Sequence, residues 1–273
     1  MARRPTFAER VAQTAALAPA RARSKRVLSR AARAALAPAD PTVALMAYSA
    51  TMRTYAGRVE ALMGRLVLSR LPVLGSGDPL DRAAIEGGLL EMEGALDQLA
   101  ERSRRSAAAA AKRAGSHARR EAQRILGMSI PAEDPKAALV AHDFAARGVE
   151  RMRRVGRAQV AQARKALANY QEGSSLKAEL ERSLWVSRVR GQLVARDLVF
   201  GLQTRMLREY SQAVGGSRFV WHTRHDELVR PGHQVLDGKE FDWSAPPNTG
   251  GGEGNNLPGE APNCRCAAVP VQP

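Results

Sequence analysis

From residue 41 to about residue 215 the apolar positions of this chain recur with the period of an α-helix. Leu45, Tyr48, Met52, Tyr55, Val59, Leu62 and Leu66 follow alternating steps of three and four, which places them in one stripe on a helix surface. The segment "RLPVLGSGDP" then breaks the pattern. Leu89, Met92, Leu96 and Leu99 mark a second helix that runs on into "RRSAAAAAKRAGSHARR", and a third extends from Pro135 to about Gly173. A fourth, after "GSS", carries Leu198, Leu202, Met206 and Tyr210 at intervals of four and stops near "VGGS". The pairs Asp40-Pro41, Asp78-Pro79 and Asp134-Pro135 predict helix starts. Aspartate accepts from free first-turn amides, and proline has no N–H to leave unpaired there. No convergent histidines or carboxylates accompany the stripes, so they read as helix–helix packing faces.

Past Gly216 the period changes. In "SRFVWHT" the residues Phe219, Trp221 and Thr223 alternate, as in a half-buried strand. "HQVLDGKEF" centres on Asp237-Gly238, a tight-turn signal between short extended pieces. A long loop rich in Gly and Pro, "SAPPNTGGGEGNNLPGEAPN", follows, and "CAAVPV" predicts a last edge strand. The expected fold is α+β: mostly long α-helices in the N-terminal two thirds, then a small C-terminal α+β or mostly β module with an edge strand. Its expected divisions are a basic arm over 1–40, an extended helical region over 41–215 and a module over 216–273. That module is too small to stand easily without docking against helices.

Composition supports the helical reading: aromatics are 4% of the 273 residues, whereas Ala and Arg, both good helix formers, are plentiful. Charge adds a partner class. The net charge of +15 points to a polyanion, nucleic acid first. Residues 1–40 hold nine Lys/Arg against two acids, 101–124 eight against two, and 147–165 seven against one. The candidate phosphate contacts are Arg21, Arg23, Lys25 and Arg26 in the first run, and Arg104, Arg105, Lys112, Arg113, Arg119 and Arg120 in the second. Arg151, Arg153 and Arg154 complete them in the third. Few aromatics interleave with these runs, which argues for contact with duplex phosphates without sequence specificity rather than base stacking. From residue 216 the balance reverses, with five basic residues against seven acidic. The opening residues have no uninterrupted apolar core, and no stretch approaches the roughly 18 apolar residues of a membrane span. The expectation is a soluble protein made in a reducing cytoplasm, with no membrane partner.

The tail carries an ordered constellation. It begins with Arg196-Asp197 in the last long helix and continues with Trp221, Thr223, Asp226, Val229-Arg230, His233, Leu236, Gly238 and Phe241. Pro246-Pro247, Pro258-Gly259-Glu260 and Cys264-Arg265-Cys266 complete it. In this order and with these gaps it resembles the phage Mu protein F-like family, the minor head proteins of phage head morphogenesis, over roughly residues 190–270. The chain departs from many relatives in having Leu257 and Ala261 where they carry histidine near these last elements. The resemblance implies a structural, non-enzymatic minor capsid protein of a tailed double-stranded DNA phage or related particle. Its location would be the virion, at the portal vertex or head interior, after assembly in the host cytoplasm. Its partners would be the portal protein, the major capsid or scaffolding protein and packaged DNA, with a part in assembly, packaging or DNA ejection.

Three readings of the tail chemistry stand side by side. In the first, Cys264 and Cys266 are small buried groups on one face of the edge strand. Arg265 points away to pair with an acid such as Asp226, and Asp226, Arg230 and His233 form a polar lock, with no cofactor. In the second, Cys264, Cys266, His233 and either His222 or His225 surround a structural zinc ion. In the third, a Cys/His pair serves a DNA- or RNA-acting enzyme or a toxin-related module.

Overall fold

The computed structural model describes residues 39–72, 79–171 and 175–273. Nearly all of the expected N-terminal arm, with Arg21, Arg23, Lys25 and Arg26, lies outside them. Five long helices are described: α1 (Thr42–Leu66), α2 (Arg82–Arg102), α3 (Arg104–Leu126), α4 (Pro135–Ala168) and α5 (Leu176–Ala213). Three short strands follow, β1 (Arg218–His222), β2 (Glu240–Asp242) and β3 (Ala267–Pro270), with a helical turn α6 (Pro231–Gln234) between β1 and β2. The fold is α+β. Among the described residues no helix is long and apolar enough to cross a membrane.

The residues form two compact units. Among the described residues, one comprises 45–72, 79–110, 142–171 and 175–196; the other comprises 39–44, 111–141 and 197–273. The first is entirely helical. The α1 stripe buries Ala44, Tyr48, Met52, Tyr55, Val59 and Met63, followed by Val67 just past the helix end, whereas Leu45, Leu62 and Leu66 are half-buried. The expected stripe therefore holds in the middle and shifts by one position at each end, as a 3.6-residue period drifts across a long helix. Tyr48 meets Phe144 of α4 edge-on, with ring centroids 5.1 Å apart. Gly148 and Gly156 leave the notches that Tyr48 and Tyr55 fill: a Cβ at either glycine would lie 2.6 Å from the facing hydroxyl oxygen. Both hydroxyls are buried with no hydrogen-bond partner, and burial raises the pKa of each.

Arginines of α4 reach acids of α2 in a ladder. Arg164 meets Glu86 and Glu93, Arg157 meets Asp97, and Arg153 meets Asp97 and Glu101. Position rises along one helix as it falls along the other, so the rungs select an antiparallel register. They are solvent-exposed and screened, so they set register more than stability.

Several sequence expectations are corrected. The second helix is not continuous: the chain turns at Ser103, whose amide bonds the carbonyls of Ala100 and Glu101. The start of α2 is fixed by Asp81, which accepts from the Ala84 amide at 2.9 Å, rather than by Asp78-Pro79; Asp78 itself is outside the described residues. Asp134 does cap α4, accepting from the Ala137 amide at 2.8 Å. That helix ends at Ala168, short of Gly173, which is also outside the described residues. The residues before Asp237-Gly238 form the helical turn α6 instead of an extended piece, because Gln234 and Val235 donate back to Arg230 and Pro231.

The second unit holds the antiparallel sheet, in order β2-β1-β3. Phe219 and Trp221 point inward from β1, the predicted alternation, and Phe219 packs against Trp243 with centroids 4.5 Å apart. β3 is an edge strand as expected. The two cysteines, however, lie just before it in irregular chain rather than on it.

Candidate functional site

The tail constellation is assembled by one face of α5. Asp197 accepts from the Asn263 amide at 2.9 Å, Thr204 donates to the Pro258 carbonyl at 2.7 Å, and Arg205 pairs with Glu260 at 2.5 Å. These positions, spaced at helical steps with Gly201 among them, form a clamp over the loop 257–264. Gly259 occupies the closest approach. Its φ of +84° suits glycine, and a Cβ there would lie 3.2 Å from backbone atoms of Phe200. The clamp explains why Asp197 belongs to a motif whose last elements, Pro258 to Cys266, lie some sixty residues later. Arg196 precedes it, half-buried, in the stretch of α5 assigned to the helical unit.

The clamped loop delivers Cys264 and Cys266 to His233 of α6. All three are buried, His233 being 2% exposed. The imidazole Nδ1 lies 3.5 Å from Cys264 Sγ and 3.6 Å from Cys266 Sγ. On its other side Nε2 is 3.0 Å from the Glu253 carboxylate. Glu253 is held in turn by the Thr249 hydroxyl at 3.1 Å and by Arg230 at 3.2 Å. Arg230 also donates to the Pro262 carbonyl, and Arg265 pairs with Asp226 at 2.6 Å. Trp221 closes the floor, its indole edge-on to His233 with centroids 5.4 Å apart. Thr223 donates from its amide and hydroxyl to Asp237, and Gly238, with φ of +73°, donates to the Trp221 carbonyl.

The polar lock therefore exists in two parts. Asp226 binds Arg265, as expected; Arg230 and His233 are joined to each other through Glu253, which sequence reasoning missed. Its only signal was its standing as the single acid between Asp242 and Glu260, within a glycine-rich loop. Burial disfavours a charged His233, but the Cys264 thiol and the Glu253 carboxylate outweigh it and raise the imidazole pKa above its ordinary value. Cys264 is lowered, first by the adjoining Cys266 thiol and then, against burial, by His233. Cys266 is raised by its contact with Cys264 and by burial.

The donor atoms of His233, Cys264 and Cys266 all lie within 4.8 Å of one another. His222 and His225, the alternative fourth ligands, do not join them; they form a separate, more exposed group with Asp237.

The candidate phosphate contacts separate into two sets. Arg104 pairs with Glu101, Arg153 with Asp97 and Glu101, and Arg154 with Glu150, while Arg119 donates to the Ile130 carbonyl. Arg105, Lys112, Arg113, Arg120 and Arg151 are exposed, with no carboxylate partner among the described residues.

Comparison with known proteins agrees with this geometry. Residues 157–269 match the family model described as phage Mu protein F like protein. The chain is also 32% identical over 82 residues to an uncharacterized protein of Haemophilus influenzae, a segment that covers 30% of this chain and 17% of the relative. The chain thus spans less than a fifth of that curated relative's length. No solved structure matches the chain. The part of the chain that builds the clamp and the buried His/Cys cluster lies within residues 157–269, the segment that is similar to the phage Mu protein F-like family.

Proposed function

We propose that the chain is a head morphogenesis protein: a minor, structural component of a tailed-phage or phage-derived capsid, associated with the portal vertex and the head interior. The observation that carries this reading is the convergence of the family constellation. Positions from Asp197 to Cys266 meet in one clamped site, inside the segment that matches the family. The clamp is built from buried packing, ion pairs and backbone bonds, the properties of a rigid docking module.

Contact with packaged DNA is the second part of the proposal. On α3, Arg105, Lys112, Arg113 and Arg120 fall within an arc of about 100° and span about 22 Å of helix axis. The opposite face of α3 is an alanine seam, with Ala107, Ala110, Ala111, Ala114, Ala118 and Ala122 buried. Packing is thus confined to one side of the helix, and the cationic stripe faces solvent. Such a stripe neutralises phosphates without reading bases.

Coexpression with portal, scaffolding and major capsid proteins tests the reading. The expected result is copurification of the full chain with portal or procapsid. A variant with Arg105, Lys112, Arg113 and Arg120 changed to Gln should keep that association and bind DNA more weakly. Failure of the full chain to associate with any head intermediate would overturn it.

A further inference from the structure

We infer that His233, Cys264 and Cys266 form a divalent-metal site of the zinc type, with water as fourth ligand and Glu253 as the carboxylate that orients the histidine. The distances are those of such a site. A tetrahedral ion bonded at about 2.3 Å to sulfur and about 2.05 Å to nitrogen separates those two ligand atoms by about 3.6 Å. The observed separations from Nδ1 are 3.5 and 3.6 Å. Both sulfurs are presented to the same ring nitrogen, whereas a single neutral imidazole acceptor satisfies only one thiol donor.

The surroundings are those of thiolate and imidazole ligands. Nε2 of His233 is committed to Glu253 at 3.0 Å, which leaves the Nδ1 lone pair facing the sulfurs. A carboxylate behind a metal-bound histidine fixes its tautomer in this way. The carboxylate is itself anchored by Thr249 and Arg230. Cys264 Sγ accepts from the Gly259 amide at 3.3 Å, the kind of N–H···S contact that supports a thiolate. The Trp221 indole N–H is buried beside this cluster, next to Cys266. A cavity of about 20 Å³, lined by His233, Cys264, Cys266 and Arg230 among others, adjoins the three donors. That volume has room for one water, the fourth ligand of the tetrahedron. On binding, each thiol gives its proton to solvent, and two thiolates neutralise the dication, so no net charge is buried with the ion. Thiolate and imidazole donors select zinc over magnesium or calcium. The second His/Asp group lacks these features: it is partly exposed, and its Asp237 is already engaged by Thr223.

The test uses the full chain, purified without chelator, then stripped and reconstituted with zinc or cobalt(II). Elemental analysis should find stoichiometric zinc. Cobalt should give the intense visible bands of tetrahedral coordination together with thiolate-to-metal charge transfer. Cys264→Ser with Cys266→Ser should abolish both signals. Glu253→Gln keeps every ligand and should weaken zinc affinity by about 10–100-fold in chelator competition; it serves where the double variant fails to fold. Three results would each overturn the inference: no stoichiometric uptake by the reconstituted wild type, weak octahedral cobalt bands, or zinc affinity unchanged in Glu253→Gln.

Discussion

Gly148 and Tyr48 offer a sharp test of how the helical unit is packed. A methyl group at 148 would lie 2.6 Å from the Tyr48 hydroxyl oxygen, but 3.4 and 3.5 Å from the nearest ring carbons. The clash therefore belongs to one atom. Gly148→Ala alone must displace a buried ring, at a cost of about 1–3 kcal/mol, offset by about 1 kcal/mol from the better helix former. Tyr48→Phe alone removes a buried hydroxyl that has no partner and should stabilise by about 1 kcal/mol. In the double variant the methyl meets only ring carbons at ordinary contact distance. The helix gain is then fully realised, and the protein should exceed the wild type by about 1–2 kcal/mol. The coupling energy is thus about 2 kcal/mol. Urea and thermal unfolding followed by circular dichroism in the helix band would measure it, with the slope of each transition checked for constancy. Additivity within about 0.5 kcal/mol, or a destabilised double variant, would refute the close packing of α1 on α4.

Other consequences concern the tail unit and the cationic stripe. Asp197→Ala leaves the Asn263 amide without its carboxylate and should cost about 1–2 kcal/mol; a lower Tm and faster proteolysis within 250–263 would show it, and an unchanged digestion pattern would contradict it. Burial tends to raise the pKa of Glu121, but the Arg124 guanidinium and the Ala39 amide prevail and lower it. Its contribution to stability is therefore present above its ordinary value of 4.5 and is lost as pH falls through the lower folded value; Glu121→Gln should flatten the acid limb of a pH–stability curve. Changing Arg105, Lys112, Arg113 and Arg120 together to Gln should make the salt dependence of DNA binding shallower by about 0.9 for each phosphate no longer neutralised; an unchanged slope in a mobility or anisotropy titration would assign the stripe another partner.

Much of the architecture was legible in the chain because long helices advertise their period. Tyr48, Met52, Tyr55 and Val59 follow it, and Phe219 and Trp221 show the switch to a strand. Boundaries were less legible. Asp81 rather than Asp78 caps α2, since either acid has the right chemistry and only the fold decides which meets the Ala84 amide. The cationic runs were legible as charge but not as partnership: the arginines at 153, 157 and 164 meet acids fifty to eighty residues away, which local sequence cannot show. At the site, His233, Cys264 and Cys266 stood out by residue type. Glu253 and Thr249 did not, because a loop of glycines carries no periodicity to say which way a side chain turns. His222 and His225 had the right chemistry for the same ligand set, yet β1 and the turn after it hold them with Asp237 instead.

The central claim is residence in a phage head, and quantitative mass spectrometry of gradient-purified procapsids and mature particles tests it most directly. Peptides spanning residues 157–269 are expected in procapsids, at a copy number far below that of the major shell protein and in fixed ratio to the portal. Absence of the chain from both procapsids and mature heads, while it accumulates free in the producing cell, would contradict it.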